Sequence, residues 1–396
     1  MIFIKVMEEN MRRTLKIACV ALLVAMLVLS LGACQRQQST GDNVFRIGVF
    51  QPLTGANAAG GALELLGVQL AHELFPTVDI NGVTHRVELF VADNRSDRVE
   101  AANAVERLIS QDEVHIILGS WGSAFSIAGG AVGRDRVPMV GLSCTNPLVT
   151  LGNEWYFRVC FIDSFQGTVM ASYANRVAGA RTAVIVQEIT NDYSVGLARF
   201  FTENFQRLTG NLNSILATVN YNTGDQDFTA QLTAIRNHNP DIVFAPGNFT
   251  ESALVIRQAR DLGIRVPFLG GDTWETPEFI QVGSDRVEGA AFSTFFAAEF
   301  AGTPEAQMFL REYASRYNDE PAAVTALGYD GYLVALDAVR RAGSLDPRRI
   351  RDALVTTNVA GATATTTFDE NGDATKAAFI KEVRNGQFNF LALVDP

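Results

Sequence analysis

Histidine and cysteine are scarce in this chain, four of each among 396 residues, and neither type forms a recognisable site. No CxxC, HExxH or glycine-rich dinucleotide fingerprint occurs, and no GK[ST] follows a strand-ending glycine, so the common zinc, redox, dinucleotide and phosphate-loop chemistries have no foothold. His72 and His85 lie away from the predicted strand ends, His115 falls inside a strand, and His238 ends a helix before Pro240. None of them completes a triad with a loop serine or a metal set by spacing, which leaves an enzyme without its base and a cofactor or metal without its ligands. A basic cluster is missing too: 32 Lys and Arg face 43 Asp and Glu, for a formal net charge of −11. That balance argues against nucleic acid as a partner. No Pro-, Gly- or Ser-rich linker divides the chain, and no polar tract marks disorder.

What is present begins with one long apolar run. MRRTLK precedes IACVALLVAMLVLSL and then GAC, the pattern of a basic region, a hydrophobic region and a small-residue cleavage site. The run of about fifteen residues is short for a membrane span. Residues 1–33 are therefore expected to be an export signal, with translation starting at Met11 rather than Met1 because Glu8 and Glu9 fit a basic region badly. LGAC, Leu31 to Cys34, resembles the lipobox of bacterial lipoproteins, which implies a lipid on Cys34 and a linker over 34–43. Removing residues 1–33 takes away four bases and two acids and moves the net charge to about −13. Cys144 and Cys160 remain in the body, either as a disulfide or as two buried thiols.

From Val44 onward, short apolar runs alternate with amphipathic segments. FRIGVF, RVELFVAD, VHIILG and VPMVGL read as buried strands, and Leu63, Leu66, Leu70 and Leu74, like Ala101, Val105, Leu108 and Ile109, mark one face of a helix. After about residue 165 the rhythm restarts with TAVIVQ, LATVNY, DIVFAP and VPFLGG, and with a helix through Leu197, Phe201, Phe205 and Leu208 ended by Gly210. Such alternation, run twice, predicts an α/β protein of two similar lobes, each a parallel sheet flanked by helices. AFSTFF, two helical segments and a strand pair joined at Asn385-Gly386 then complete both lobes.

Ligands in open parallel sheets bind beyond the carboxyl ends of the strands, so the loops there hold the candidates. SWGSAFSIAGG offers Ser120, Ser123 and Ser126 ahead of a helix, where free amides and a helix dipole favour an anion; a plain cap explains one serine equally well. GSWGS is not the GxSxG elbow of a hydrolase. SCTNPLV supplies Ser143 and Thr145, or else only a turn. Tyr193, and Asn248 with Phe249, stand where they could cover a ligand or simply pack. GGDTWETPEF places Asp272 where it is either a helix cap, a role Thr273 or Thr276 could fill, or the counter-charge of a ligand cation; Trp274 is a pocket wall or a packing residue.

IGVFQPLTGANAAGG, NAVERLI before VHIILGS, SCTNP, FRVCFIDSFQG, YSVGLA and GGDTWETPEF occur in an order and spacing that resembles the extracytoplasmic solute-binding proteins of the type I periplasmic fold. The branch it is most similar to is the leucine/isoleucine/valine-binding family that serves ABC importers. The resemblance implies an N-terminal lobe of residues 44–163 plus 296–362 and a C-terminal lobe of 164–295 plus 363–396, joined by a three-segment hinge. It implies a monomeric, lipid-anchored, exported receptor with no enzymatic activity that passes an amino acid, branched-chain or similar, to a membrane permease. Ser123, the carbonyl of Ser143 and Thr145 would hold the ligand backbone, Tyr193 would reach across from the second lobe, and Asp272 would pair with the ammonium. Asn248 departs from the family pattern of an aromatic residue there. The same scaffold holding an amide, urea or aromatic acid, or serving as a sensory ectodomain, stands as the alternative.

Overall fold

The computed structural model describes residues 43–396; the signal segment, Cys34 and all of the linker but its last residue lie outside the described residues. The first half of the chain runs β1 (Val44–Gln51), α1 (Ala58–Leu74), β2 (Thr77–Ile80), β3 (Val83–Asp93), α2 (Arg98–Ser110), β4 (Ile116–Gly119), α3 (Ser123–Gly133), β5 (Met139–Gly141) and β6 (Tyr156–Arg158). These strands form one six-stranded sheet in the order β2-β3-β1-β4-β5-β6. Its centre is parallel, with Ile47 beside Ile116 and Val49 beside Leu118. In β1 only Arg46 is not fully buried, as expected of a strand covered by helices on both faces.

The second half continues with α4 (Asp163–Ser172), β7 (Ala183–Glu188), α5 (Asp192–Thr209), β8 (Ile215–Tyr221), α6 (Thr229–His238), β9 (Ile242–Phe244), α7 (Phe249–Asp261), β10 (Phe268–Gly270), α8 (Pro277–Gly283) and β11 (Ala291–Thr294). The chain then returns through α9 (Pro304–Tyr317), α10 (Ala323–Ala342) and α11 (Pro347–Leu354) to a small hairpin, β12 (Asn358–Ala360) and β13 (Thr365–Thr367). It finishes with β14 (Ala378–Arg384) and β15 (Gln387–Val394), which close a seven-stranded sheet ordered β15-β14-β11-β10-β9-β7-β8.

Both sheets are predominantly parallel, as expected, and two details go beyond the expectation. Neither sheet is wholly parallel: β2 runs antiparallel to β3, and β14 and β15 run antiparallel at the opposite edge of the second sheet. Both antiparallel pairs turn on Asn-Gly steps, Asn81-Gly82 and Asn385-Gly386, with all four residues at positive φ. The apolar face of α1 is also displaced from its leucine stripe. Leu63, Leu66 and Leu74 are only half-buried, while Gly60, Gly61, Gly67, Val68 and Ala71 face inward. A methyl group on Gly67 would come within 1.9 Å of the Thr325 carbonyl, and one on Gly328 within 2.2 Å of the Glu64 carbonyl. Helices α1 and α10 thus meet backbone to backbone, and only glycine fits the seam.

Candidate functional site

Where the carboxyl ends of the strands of both sheets meet, they enclose a cavity of about 410 Å³. Five expected residues line it together: Ser123 and Ser143 from the first lobe, Tyr193, Asn248 and Asp272 from the second.

On the first-lobe side, Gly122 takes the cap position of α3 at φ 89°, which leaves Ser123 as the first helical residue with its amide free of the helix ladder. The Ser123 hydroxyl accepts a 3.1 Å bond from the Asn146 amide, joining two strand-end loops. Ser120 and Ser126 stay out of the cavity and brace the loop, since the Ser120 amide donates to Ser126 Oγ and Ser126 Oγ donates to the Ser120 carbonyl. The Ser143 hydroxyl is spent on Glu64, so what Ser143 can offer a ligand is its main chain.

Glu64 carries no candidate role in the sequence, yet it organises this half of the site. It accepts from Gln51 Nε2 at 2.6 Å as well as from Ser143, and Gln51 Oε1 accepts the Trp121 amide at 2.8 Å. One buried carboxyl on α1 therefore ties the ends of β1, β4 and β5 together. Burial pushes its pKa up to about 8, against hydrogen bonds from Ser143 and Gln51 that favour the anion.

Arg158 has a similar positioning role. It is fully buried at the end of β6, its Nε donating to Asp373 at 2.6 Å, Nη1 to the carbonyls of Cys144 and Asn146 at 2.8 Å each, and Nη2 to Thr150 Oγ1 at 2.6 Å. A single planar fork thus fixes the Ser143–Thr150 loop against the returning C-terminal segment.

Asp272 dominates the second-lobe side. Thr276, not Asp272, caps α8 by accepting from the Phe279 amide, so the aspartate is free of capping duty. Its Oδ1 accepts from Gln166 Nε2 at 2.7 Å and from the Tyr193 hydroxyl at 3.0 Å. Both donors are neutral, and burial pushes the pKa up to about 7. Asn248 occupies the cap position of α7 without capping it through its side chain. Glu188, at the end of β7, also lines the cavity and accepts from Asn191 Nδ2 at 3.0 Å and from the Thr223 hydroxyl. At the rim the lobes touch: Arg98 of α2 donates to the Thr190 carbonyl and pairs with Asp192 at 3.0 Å, and the Asn146 side chain donates to the Asp192 carbonyl at 2.8 Å.

Three expected residues fall outside the cavity lining. Thr145 is buried beside it, its hydroxyl without a partner among the described residues, as are both oxygens of Asp163 on α4. Phe249 stands edge-on to Trp121 with ring centroids 6.0 Å apart, backing a ring that does line the cavity. Trp274 packs into the second-lobe core, stacked on Phe279 at 4.8 Å over Gly270, whose missing side chain makes room for the indole. Of the two alternatives for Cys144 and Cys160, the structure shows free, buried thiols, and burial raises both pKa values.

The raised carboxyls link folding to pH. Glu64 moves from 4.5 to about 8 and Asp272 from 3.8 to about 7, so the folded state holds more protons than the unfolded chain between about pH 4 and 8, and stability falls as pH rises through that interval. The ligand-free protein is expected to melt several degrees lower at pH 8 than at pH 6. Thermal denaturation at matched ionic strength checks this, and a flat or rising Tm would show that both groups ionise normally.

Comparison with known proteins places this geometry. A family model described as periplasmic binding protein matches residues 44–387. A Leu/Ile/Val-binding protein homolog from Brucella abortus is 26% identical, with the match covering 87% of this chain and 92% of the relative. Among solved structures, a leucine-binding protein from Thermotoga maritima superposes with a TM-score of 0.85 at 42% identity, covering 89% of this chain and 99% of that one. A branched-chain amino acid transporter substrate-binding protein from Streptococcus pneumoniae, solved with isoleucine, gives 0.82 at 29% identity, covering 89% and 100%. These relatives are binding proteins rather than enzymes. The chain belongs to the type I periplasmic binding proteins, in the leucine/isoleucine/valine-binding family.

Proposed function

We propose that the chain is an extracytoplasmic receptor that captures an α-amino acid and delivers it to an ABC importer. The observation that carries this reading is Asp272, a buried carboxylate on the cavity wall whose side-chain partners among the described residues are the neutral donors Gln166 and Tyr193. A carboxylate so placed lacks a cation, and a ligand ammonium supplies one. The amide of Ser123 at the start of α3 complements the other end of a zwitterion. The names of the leucine-binding and isoleucine-bound relatives agree with such a ligand.

In this mechanism the ligand first settles on the Ser123 and Ser143 loops. The second lobe then closes with Tyr193 and Asp272, and the Arg98–Asp192 and Asn146–Asp192 contacts hold the rim shut. Ligand binding shifts the open and closed populations by its differential affinity for the two forms. A lipid on Cys34 would keep a monomeric receptor beside its permease.

A thermal-shift panel of α-amino acids, amides, urea and aromatic acids tests the reading. At a hundredfold excess over Kd a true ligand adds about 2.7 kcal/mol of stability, so an α-amino acid is expected to raise Tm clearly. Stabilisation by an amide, urea or aromatic acid and by no amino acid would overturn the assignment.

A further inference from the structure

Asp272 is not the only carboxylate without a cation in this cavity. Glu188 is 1% exposed, and its partners Asn191, Thr223 and the Asn248 amide are all neutral. Among the described residues the one cation in the lining, Arg98, is committed to Asp192 and the Thr190 carbonyl. A buried carboxylate facing a cavity with neutral neighbours alone is unfavourable unless a cationic group arrives to meet it.

Sheet order places the two acids on either side of one strand. β7 and β10 both neighbour β9, Glu188 is the last residue of β7, and Asp272 lies two residues past the end of β10. Strands two apart in a sheet lie roughly 10 Å from each other, which sets the scale of the gap between the two acids. A lysine- or arginine-length side chain spans such a gap with a hydrogen bond of about 2.8 Å at either end. Thr190, Asn191, Thr223 and Asn248 surround the Glu188 end with polar groups, while Trp121 and Phe125 of the first lobe can cover the methylenes between. A branched aliphatic side chain would leave Glu188 facing it unpaired.

We infer that the site selects α-amino acids with a cationic side chain, with Asp272 taking the α-ammonium and Glu188 the distal cation. The inference rests on the amino-acid receptor reading and narrows it to basic ligands. Calorimetry of the wild-type protein with lysine, arginine, leucine and isoleucine is the first test, followed by the same titrations on Glu188→Gln. Lysine or arginine is expected to bind more tightly than leucine, and Glu188→Gln to lower the affinity for the basic ligand roughly 30-fold or more and so abolish its preference over leucine. Leucine or isoleucine binding more tightly than both basic amino acids in the wild type would overturn the inference alone, whatever the variant does. Failure of every amino acid to bind, with an amide or aromatic acid binding instead, would overturn the receptor reading beneath it.

Discussion

Alanine in place of Asp272 is expected to cost roughly 2 to 4 kcal/mol of α-amino acid affinity, about 30- to 1000-fold in Kd. The loss has two sources. The ligand ammonium would be buried without a counter-charge, and the Tyr193 hydroxyl and Gln166 amide would lose the acceptor that orients them. Asparagine at the same position keeps an acceptor for those two groups but carries no charge, so it separates positioning from ion pairing and should still lose most of the affinity. The wild type adds an internal control. With the carboxyl pKa near 7 in the ligand-free protein, a zwitterion must bind the anionic form and displace a proton from the neutral one. Affinity should therefore fall as pH drops below about 7, by up to about tenfold per pH unit, and level off above it. Calorimetry between pH 5 and 8 measures both effects; an Asp272→Ala variant with wild-type affinity would remove the residue from the site.

Arg158→Met is expected to destabilise the protein by about 3 to 5 kcal/mol. The substitution leaves Asp373 buried without its ion pair and strips donors from the Cys144 and Asn146 carbonyls and from Thr150 Oγ1. Lysine should rescue little, because an ammonium cannot reach acceptors spread in the plane of a guanidinium. Adding Asp373→Asn should recover part of the loss, since the greatest single cost is the orphaned carboxylate. Equilibrium urea unfolding gives the magnitude, and a change below about 1 kcal/mol would place Arg158 among ordinary residues. Because Arg158 holds the loop that carries Ser143 and Asn146, ligand affinity should fall along with stability.

The contrast between these residues shows what a single sequence makes legible. Asp272 sits directly after an apolar strand run, so the position of strand ends was enough to single it out. Arg158 reaches the site from the end of a three-residue strand and Glu64 and Gln166 from helices, and only tertiary packing brings them there. Glu188 closes the run TAVIVQ and opens the loop to Tyr193, where its strand-end position was a usable signal that the aromatic residue overshadowed. For Trp274 the sequence left a pocket wall and a packing residue open, because adjacency to Asp272 along the chain says nothing of direction; the indole turns into the core beneath Gly270.

In the fold, long buried runs were readable as strands, whereas β2, with alternate residues exposed, and the three-residue β6 carry too little pattern. The α1 stripe was legible only in part, with Leu70 fully buried and Leu63, Leu66 and Leu74 packed at the core's margin, because hydrophobic periodicity weighs leucine above glycine. At a backbone seam such as Gly67 against Thr325 the smallest side chain is the buried one.

The free thiols of Cys144 and Cys160 bear on chemical reactivity. Both are wholly shielded from solvent, and burial holds both in the unreactive protonated form. An alkylating or oxidising reagent can meet them only in molecules whose first-lobe core has opened. With a reagent that outpaces reclosing, modification would then proceed at the rate of opening rather than of intrinsic thiol chemistry. The pair thus acts as a native clock, inert while the structure holds and marking each chain that has come apart.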